Sequence, residues 1–227
     1  ALGSVLGHVL LHQTINGNEA ILQMEQAGDY PDIIVGCTGG GSNLAGLMFP
    51  FLGQQLRGGQ KIDIIGCEPL SCPSFTKGKY AYDHGDMARM TPLIKMHTLG
   101  SDFLPPANHS GGLRYHGMSY HLSHLYDLGL MRAKAYGQKD CFEAGVIFGK
   151  QEGIIPAPEG NHAVKGAIDA ALECKEKGES KTILFNLCGH GHFDMTAYDD
   201  YFSGKLADDF YDEKSANQSL SKLPEIA

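Results

Sequence analysis

The stretch Asp32-Ile-Ile-Val-Gly-Cys-Thr-Gly-Gly-Gly-Ser-Asn-Leu44 decides the fold. Ile33, Ile34 and Val35 are apolar and β-branched, and the run breaks into Gly39, Gly40 and Gly41 before Ser42, Asn43 and an apolar segment with helical spacing. That pattern predicts strand, glycine loop, helix. Glycine admits positive φ and lets the backbone approach a ligand closely, so successive N–H groups can converge at the positive end of the helix, where a phosphate is the natural guest. No Gly-Lys-Ser/Thr follows, so the loop is not a P-loop. Leu44 stands where a dinucleotide fingerprint counted from Gly39 and Gly41 needs its third glycine. A glycine-rich turn with only a structural job is the alternative at this point.

Working outward, Tyr30-Pro31 stops an N-terminal helical region over residues 1–28, which reads as one helix or two around Asn16-Gly17-Asn18. Leu44 to Arg57 is helical in pattern, with Pro50 expected to kink or shorten it, and Gly58-Gly59 closes it. A second strand, Ile62-Asp-Ile-Ile-Gly-Cys67, ends in Glu68-Pro69. Strand, glycine loop, helix and strand make a βαβ unit, and such crossovers build parallel sheets. Between about 70 and 118 the periodicity is lost, and turn signals and interspersed aromatics suggest an ordered, substrate-facing excursion. Helical patterns return over about 119–129, 139–152 and 161–177. Gly153-Ile-Ile-Pro-Ala-Pro-Glu159 is a rigid connection, and Thr182–Leu187 is a third apolar strand that stops at Cys188-Gly-His-Gly-His-Phe-Asp194. The expected fold is α/β, an open, mainly parallel twisted sheet flanked by helices. The tail after about 200 is polar and reads as a surface helix or partly disordered.

The 227 residues suit one large domain or two small ones, and 42% hydrophobic with 19% charged residues is ordinary for a soluble globular protein. A net charge of −8 with no Lys/Arg cluster argues against nucleic acid and anionic membranes as partners and for small-molecule chemistry. The six cysteines show no CxxC pair or zinc-finger spacing, so a reduced, cytoplasmic chain is expected. No apolar run approaches the roughly 18 residues of a transmembrane helix, and the N-terminus lacks a signal-peptide layout. Starting at Ala1 without Met suggests processing, a trimmed chain or a fragment.

In an open parallel sheet, ligands bind outside the carboxyl ends of the strands, so Thr38–Asn43, Glu68 and Cys188–Asp194 should face one crevice. His190 and His192, separated by one residue, could bind a metal with Asp194 or His162, although no other pair has ligand spacing. Cys188 could be a nucleophile beside a histidine, or a packing site. Glu152 and Glu159 bracket the rigid connection and could both be solvated helix-end carboxylates. Arg114-Tyr115-His116 could bind a substrate carboxylate or form an ordinary loop. Two classes stay open: a nucleotide-binding Rossmann module with Glu68 on the ribose, and an enzyme whose phosphate belongs to a cofactor.

Taken together, Gly3-Ser-Val-Leu-Gly-His-Val-Leu-Leu-His-Gln13, Gly39–Asn43, Gly66-Cys-Glu-Pro69, Thr91–Met96, Gly111–Gly117, Glu152–Glu159, His162-Ala163 and Gly189–Asp194 are specific. The chain resembles the C-terminal part of a tryptophan synthase beta chain of the second, longer type, from residue 3 to about 200. The resemblance implies a fold-type II pyridoxal 5′-phosphate (PLP) enzyme that makes tryptophan from L-serine and indole by β-replacement. Gly39, Gly40, Gly41, Ser42 and Asn43 would cup the cofactor phosphate. Glu152 would lie near the pyridine edge. Cys188, with Gly189 beside it, would face the pyridine nitrogen where the family usually places a serine. Arg114, Tyr115 and His116 would be on the substrate side, and the carbonyls of Gly39, Tyr115 and Gly117 would match a monovalent-cation site. The family's Schiff-base lysine lies in an N-terminal half that this chain does not contain, so no catalytic residue is expected here and the chain alone should be inactive. Residues 1–200 would form the PLP-phosphate-binding part, with 70–118 as its excursion and 201–227 as a tail. A companion N-terminal half, a homodimer in the complete enzyme and an alpha subunit are the partners the resemblance implies. The alternative is a non-catalytic phosphate-ligand or partner-binding domain, as a fragment or degenerate relative.

Overall fold

β1 (Ile33–Cys37) is buried at every position, and a strand apolar on both faces belongs in the middle of a parallel sheet. In the computed structural model it pairs in parallel with β2 (Asp63–Pro69) on one side and β6 (Ile183–Phe185) on the other. A fourth parallel strand, β5 (Arg132–Tyr136), lies beyond β2, giving the order β5-β2-β1-β6. The open parallel α/β sheet expected from the sequence is therefore present. The structure describes residues 4–208 and 210–225; Gly3 of the Gly3–Gln13 stretch and Ile226–Ala227 of the tail lie outside the described residues.

Alternation along the strands divides the core in two. Ile34 and Ile64 face Leu10 of α1 (Gly7–Ala27), Leu44, Met48 and Phe51 of α2 (Ser42–Leu56) and Leu122 of α3 (Tyr120–Asp127). Val35, Ile65 and Cys67 face Cys141 of α4 (Gln138–Glu152) and Ala170 and Cys174 of α5 (Pro158–Lys177). Covering both faces in this way aligns the carboxyl ends of β1 and β2, with Cys37 opposite Cys67.

The N-terminal region is one helix, uninterrupted at Asn16-Gly17-Asn18. Gly17 is there for contact. A Cβ on it would lie 2.4 Å from the Leu47 carbonyl oxygen and 2.6 Å from that of Gly46, while one on Gly46 would lie 2.5 Å from Gln13 Cβ. α1 and α2 thus cross backbone against backbone. Pro50 sits inside α2 without ending it, and its missing N–H frees the Gly46 carbonyl from the helical ladder at this crossing.

Residues 70–118 are more regular than the sequence suggested. They contain an antiparallel hairpin, β3 (Lys79–His84) and β4 (Leu93–Thr98), followed by a short 3-10 turn at Gly111–Leu113. No apolar alternation signals this hairpin because its buried pair is polar: Thr98 Oγ1 donates to Asp83 Oδ2 at 2.7 Å, and both residues are inaccessible. β5 escaped notice for a related reason. It is an edge strand whose Arg132 bonds Asp63 (2.8 Å) and whose Lys134 bonds Glu173, and charged edges of this kind discourage further pairing.

The C-terminal region carries two further helices, α6 (Met195–Phe202) and α7 (Glu213–Leu220). α7 is docked rather than peripheral: Ala216 is fully buried against Cys72, Leu99 and Phe103. Ser219 presses onto Gly100, whose φ of 93° and missing side chain permit the approach. One alanine is too small an apolar signal to read in advance. No described helix is long and apolar enough to cross a membrane.

The α1–α2 crossing yields a direct test. Gly17→Ala and Gly46→Ala each overpack it and are expected to cost about 1–3 kcal/mol, read as lower urea midpoints. Losses within about 0.5 kcal/mol for both, the range of an unremarkable surface change, would contradict the backbone contact.

Candidate functional site

β1, β2 and β6 are neighbours, so the segments leaving their carboxyl ends share one edge of the sheet. Thr38 N still donates to the Cys67 carbonyl at 2.8 Å, and there the β1–β2 pairing stops. A Cβ on Gly39 would sit 2.7 Å from the Gly112 carbonyl oxygen, and one on Gly40 would sit 2.2 Å from Ser4 Oγ. Gly41 holds φ at 103° as the N-cap of α2 and brings no capping side chain. The loop is thus threaded between two other segments where only glycine fits.

Its donors are left over. Among the described residues no acceptor is found for the N–H groups of Gly39, Gly40, Gly41, Ser42, Asn43 or Leu44; the first bond of α2 runs from Ala45 N to the Gly41 carbonyl at 3.0 Å. Thr38 Oγ1 and Ser119 Oγ are buried without a partner among the described residues. Ser119 adjoins the loop, since its N donates to the Gly40 carbonyl at 2.9 Å and its Oγ would be 3.2 Å from a Cβ on Gly41. Buried donors without acceptors are costly unless a ligand supplies the acceptors. An anion at the positive helix end would do so.

The loop after β6 forms the other wall. Ala157 N donates to the Gly189 carbonyl at 3.0 Å and Gly191 N to the Ile155 carbonyl at 2.7 Å, tying Cys188–Gly191 to the rigid connection before α5. Cys188 Sγ lies 3.5 Å from Cys37 Sγ, which in turn lies 3.7 Å from Asn43 Oδ1. Contact with Cys188 and burial push the Cys37 thiol well up, whereas contact with Cys37 lowers that of Cys188. The described partner of Cys188 is therefore a thiol, not a histidine.

Glu159, in the first turn of α5, accepts from Gly112 N at 2.8 Å, and its charge opposes ionisation of both thiols. Its bracket partner Glu152 ends α4, exposed and with no bond to another described residue. The carboxylate gathered with the glycine loop and the thiols is thus Glu159. Arg114 is exposed, with Nη2 on the Pro105 carbonyl at 2.7 Å. The side chains of Tyr115 and His116 turn into the hairpin, Tyr115 Oη to the Gly85 carbonyl and His116 Nε2 to that of His84 at 2.9 Å. The Tyr115 carbonyl accepts from Cys72 Sγ at 2.9 Å.

Two earlier alternatives lose their footing. Glu68 is wholly buried, with its carboxyl oxygens on Phe75 N (2.8 Å), Thr76 N (2.9 Å) and Thr76 Oγ1 (2.6 Å), so no surface of it is open to a ribose. The rings of His190 and His192 lie tilted with centroids 4.5 Å apart, but His162 is buried with Nδ1 on the Pro158 carbonyl at 3.0 Å. Among the described residues no three His, Cys, Asp or Glu side chains gather as a metal cluster.

Residues 10–189 match the family model described as pyridoxal-phosphate dependent enzyme. The chain belongs to the pyridoxal-phosphate dependent enzyme family. Within that family it is 58% identical to the tryptophan synthase beta chain 2 of Aquifex aeolicus (strain VF5), over 92% of this chain and 49% of that protein. It is 51% identical to the tryptophan synthase beta chain of Pyrococcus horikoshii, over 99% of this chain and 48% of that one. The chain spans about half the length of the curated relatives it matches. Among solved structures, a fungal L-serine ammonia-lyase from Rhizomucor miehei aligns at a TM-score of 0.61 with 14% identity, over 86% of this chain and 56% of that one. A threonine deaminase from T.th. aligns at 0.56 with 16% identity, over 83% and 53%. Both share the fold. Membership of the pyridoxal-phosphate dependent family implies PLP, and the acceptor-less N–H run at the start of α2 fits a cofactor phosphate.

Burial of Glu68 supplies a pH test. Desolvation pushes its carboxyl from 4.5 up to about 7, against the opposing hydrogen bonds of Thr76 and Phe75. The folded chain then holds a proton that the unfolded chain has released. The stabilisation is complete below the unfolded value and is lost as pH rises through the folded one. Glu68→Gln is expected to flatten the urea-stability profile by about 3 kcal/mol between about pH 4.5 and 8; parallel profiles for the two proteins would contradict this.

Proposed function

We propose that this chain is the cofactor-phosphate-binding portion of a PLP-dependent lyase that converts L-serine and indole to L-tryptophan and water. The observation that carries the proposal is the run of six N–H groups from Gly39 to Leu44 with no acceptor among the described residues. The identity to proteins named tryptophan synthase beta chain supports the choice of reaction.

In this account Gly39, Gly40, Gly41, Ser42 and Asn43 hold the phosphate by backbone donation at the positive end of α2. PLP, when bound, supplies an electron sink for chemistry at the substrate's α- and β-carbons. Cys188, backed by Gly189, offers its thiol to the ring nitrogen, and a thiol is a weaker hydrogen-bond partner there than a hydroxyl. Glu159, gathered with the two thiols, and not the exposed Glu152, serves the ring edge. Glu159 fixes the Gly112 backbone against Gly39 and so holds the cup's far rim. Arg114 receives the substrate carboxylate, exchanging its bond to the Pro105 carbonyl for a stronger charge-assisted pair. Tyr115 and His116 position that loop through the hairpin. A monovalent cation would sit at the carbonyls of Gly39, Tyr115 and Gly117.

The lysine that would bond the cofactor's aldehyde is assigned to a companion N-terminal half, with a homodimer as the complete assembly and an alpha subunit as a further partner. The compartment is the cytoplasm. Pyridoxamine 5′-phosphate, which cannot react with surface lysines, is expected to bind the 227-residue chain and to be displaced by inorganic phosphate. Gly39→Val, which fills the loop's closest approach, should weaken binding by at least about tenfold, or about 1.4 kcal/mol. The chain alone should form no tryptophan from L-serine and indole, and should do so when mixed with an N-terminal half carrying the lysine. Turnover by the chain alone, or binding insensitive to phosphate, would overturn the proposal.

A further inference from the structure

Cys37 ends β1 and Cys188 follows β6, its neighbour in the sheet, so residues far apart in sequence meet with sulfurs 3.5 Å apart. The two thiols are unequal. Cys37 is buried and Cys188 is exposed, whereas Cys67, Cys72, Cys141 and Cys174 are all buried and free. Closing the gap to the roughly 2.05 Å of a disulfide is helped by the place of Cys188, which sits in a loop beside Gly189 rather than in a helix or strand.

We propose that Cys37 and Cys188 form a reversible disulfide, a peroxide-sensitive modification site at the base of the glycine loop. Contact with Cys37 favours the Cys188 thiolate, which matches its accessible position, and the thiolate is the nucleophile toward peroxide. Cys188 sulfur attacks one oxygen of hydrogen peroxide and the O–O bond breaks. Cys188 becomes a sulfenic acid and the other oxygen leaves as hydroxide, which takes up the released proton as water. Cys37 sulfur then attacks the Cys188 sulfur. The S–S bond forms, the S–O bond breaks, and the departing hydroxide takes the Cys37 proton as a second water. Two thiols have lost two electrons and one peroxide has gained them. A small dithiol reverses the step by exchange.

The consequence is local. The disulfide leaves no S–H on Cys188 and braces the ends of β1 and β6 directly behind Thr38 and the glycines. Only this effect on the cofactor's ring nitrogen rests on the proposed function; the thiol pair does not.

The test uses the full chain, reduced, then exposed to limiting hydrogen peroxide and mapped by mass spectrometry of peptides without reduction. The expected product joins the Cys37 and Cys188 peptides, two hydrogens lighter than their sum. It reverts with dithiothreitol, and the other four cysteines stay alkylatable after unfolding. In Cys37→Ser the Cys188 sulfenic acid should persist and take up dimedone, whereas the wild type should label weakly. Equal dimedone labelling in both proteins, or links scattered among all six cysteines, would overturn the proposal. Saturating pyridoxamine 5′-phosphate should slow the cross-link. A cross-link that forms at the same rate with and without that compound would leave the thiol pair standing and remove Cys188 from the cofactor site.

Discussion

Three glycines at the end of a buried parallel strand leave a helix N-terminus with nothing of its own to cap it, and the rest of the structure follows from that constraint. The segment that follows β1 must be glycine at 39, 40 and 41 because Gly112, Ser4 and Leu122 crowd the positions where side chains would stand. The same crowding buries Gly39, Gly40 and Gly41, while Ser42 and Asn43 at the helix start are half-buried. A run of N–H groups without acceptors among the described residues at a helix N-terminus suits an anion. α1 and α2 cross backbone to backbone at Gly17 and Gly46, and α2 in turn packs Leu44 and Met48 on β1, so the helix end is aimed by packing rather than by a cap.

The same sheet edge collects the other chemistry. β6 beside β1 brings Cys188 to Cys37, and the connection before α5 brings Glu159 to Gly112. The hairpin excursion is anchored to that edge through the loop at 111–118, where Tyr115 and His116 spend their side chains on hairpin carbonyls. The chain spans about half the length of its curated relatives.

The βαβ unit was legible because Ile33–Val35 and Ile64–Cys67 are buried on both faces and leave contiguous apolar runs, and the glycine loop was legible because three glycines follow the first of them. The phosphate reading came from the same few residues. What stayed hidden depends on neighbours that a linear pattern does not contain. Gly17 looks like a helix break until Leu47 and Gly46 are set against it. β5 and the β3–β4 hairpin carry Arg132, Lys134, Asp83 and Thr98 at positions where an apolar alternation would have announced a strand. Glu159 and Glu152 look equivalent in sequence; only the approach of Gly112 separates them. Cys188 stands out in sequence, but Cys37, hidden inside an apolar strand, could not be paired with it without knowing that β6 lies next to β1.

Whether the N–H groups of Gly39–Leu44 bind a cofactor phosphate is tested most directly by amide chemical-shift mapping by NMR, with pyridoxamine 5′-phosphate compared against pyridoxamine. The phosphorylated compound alone is predicted to shift the amides of residues 39–44, with smaller changes spreading to Cys188–Gly189. Equal shifts from both compounds, or shifts that avoid residues 39–44, would contradict the phosphate cup.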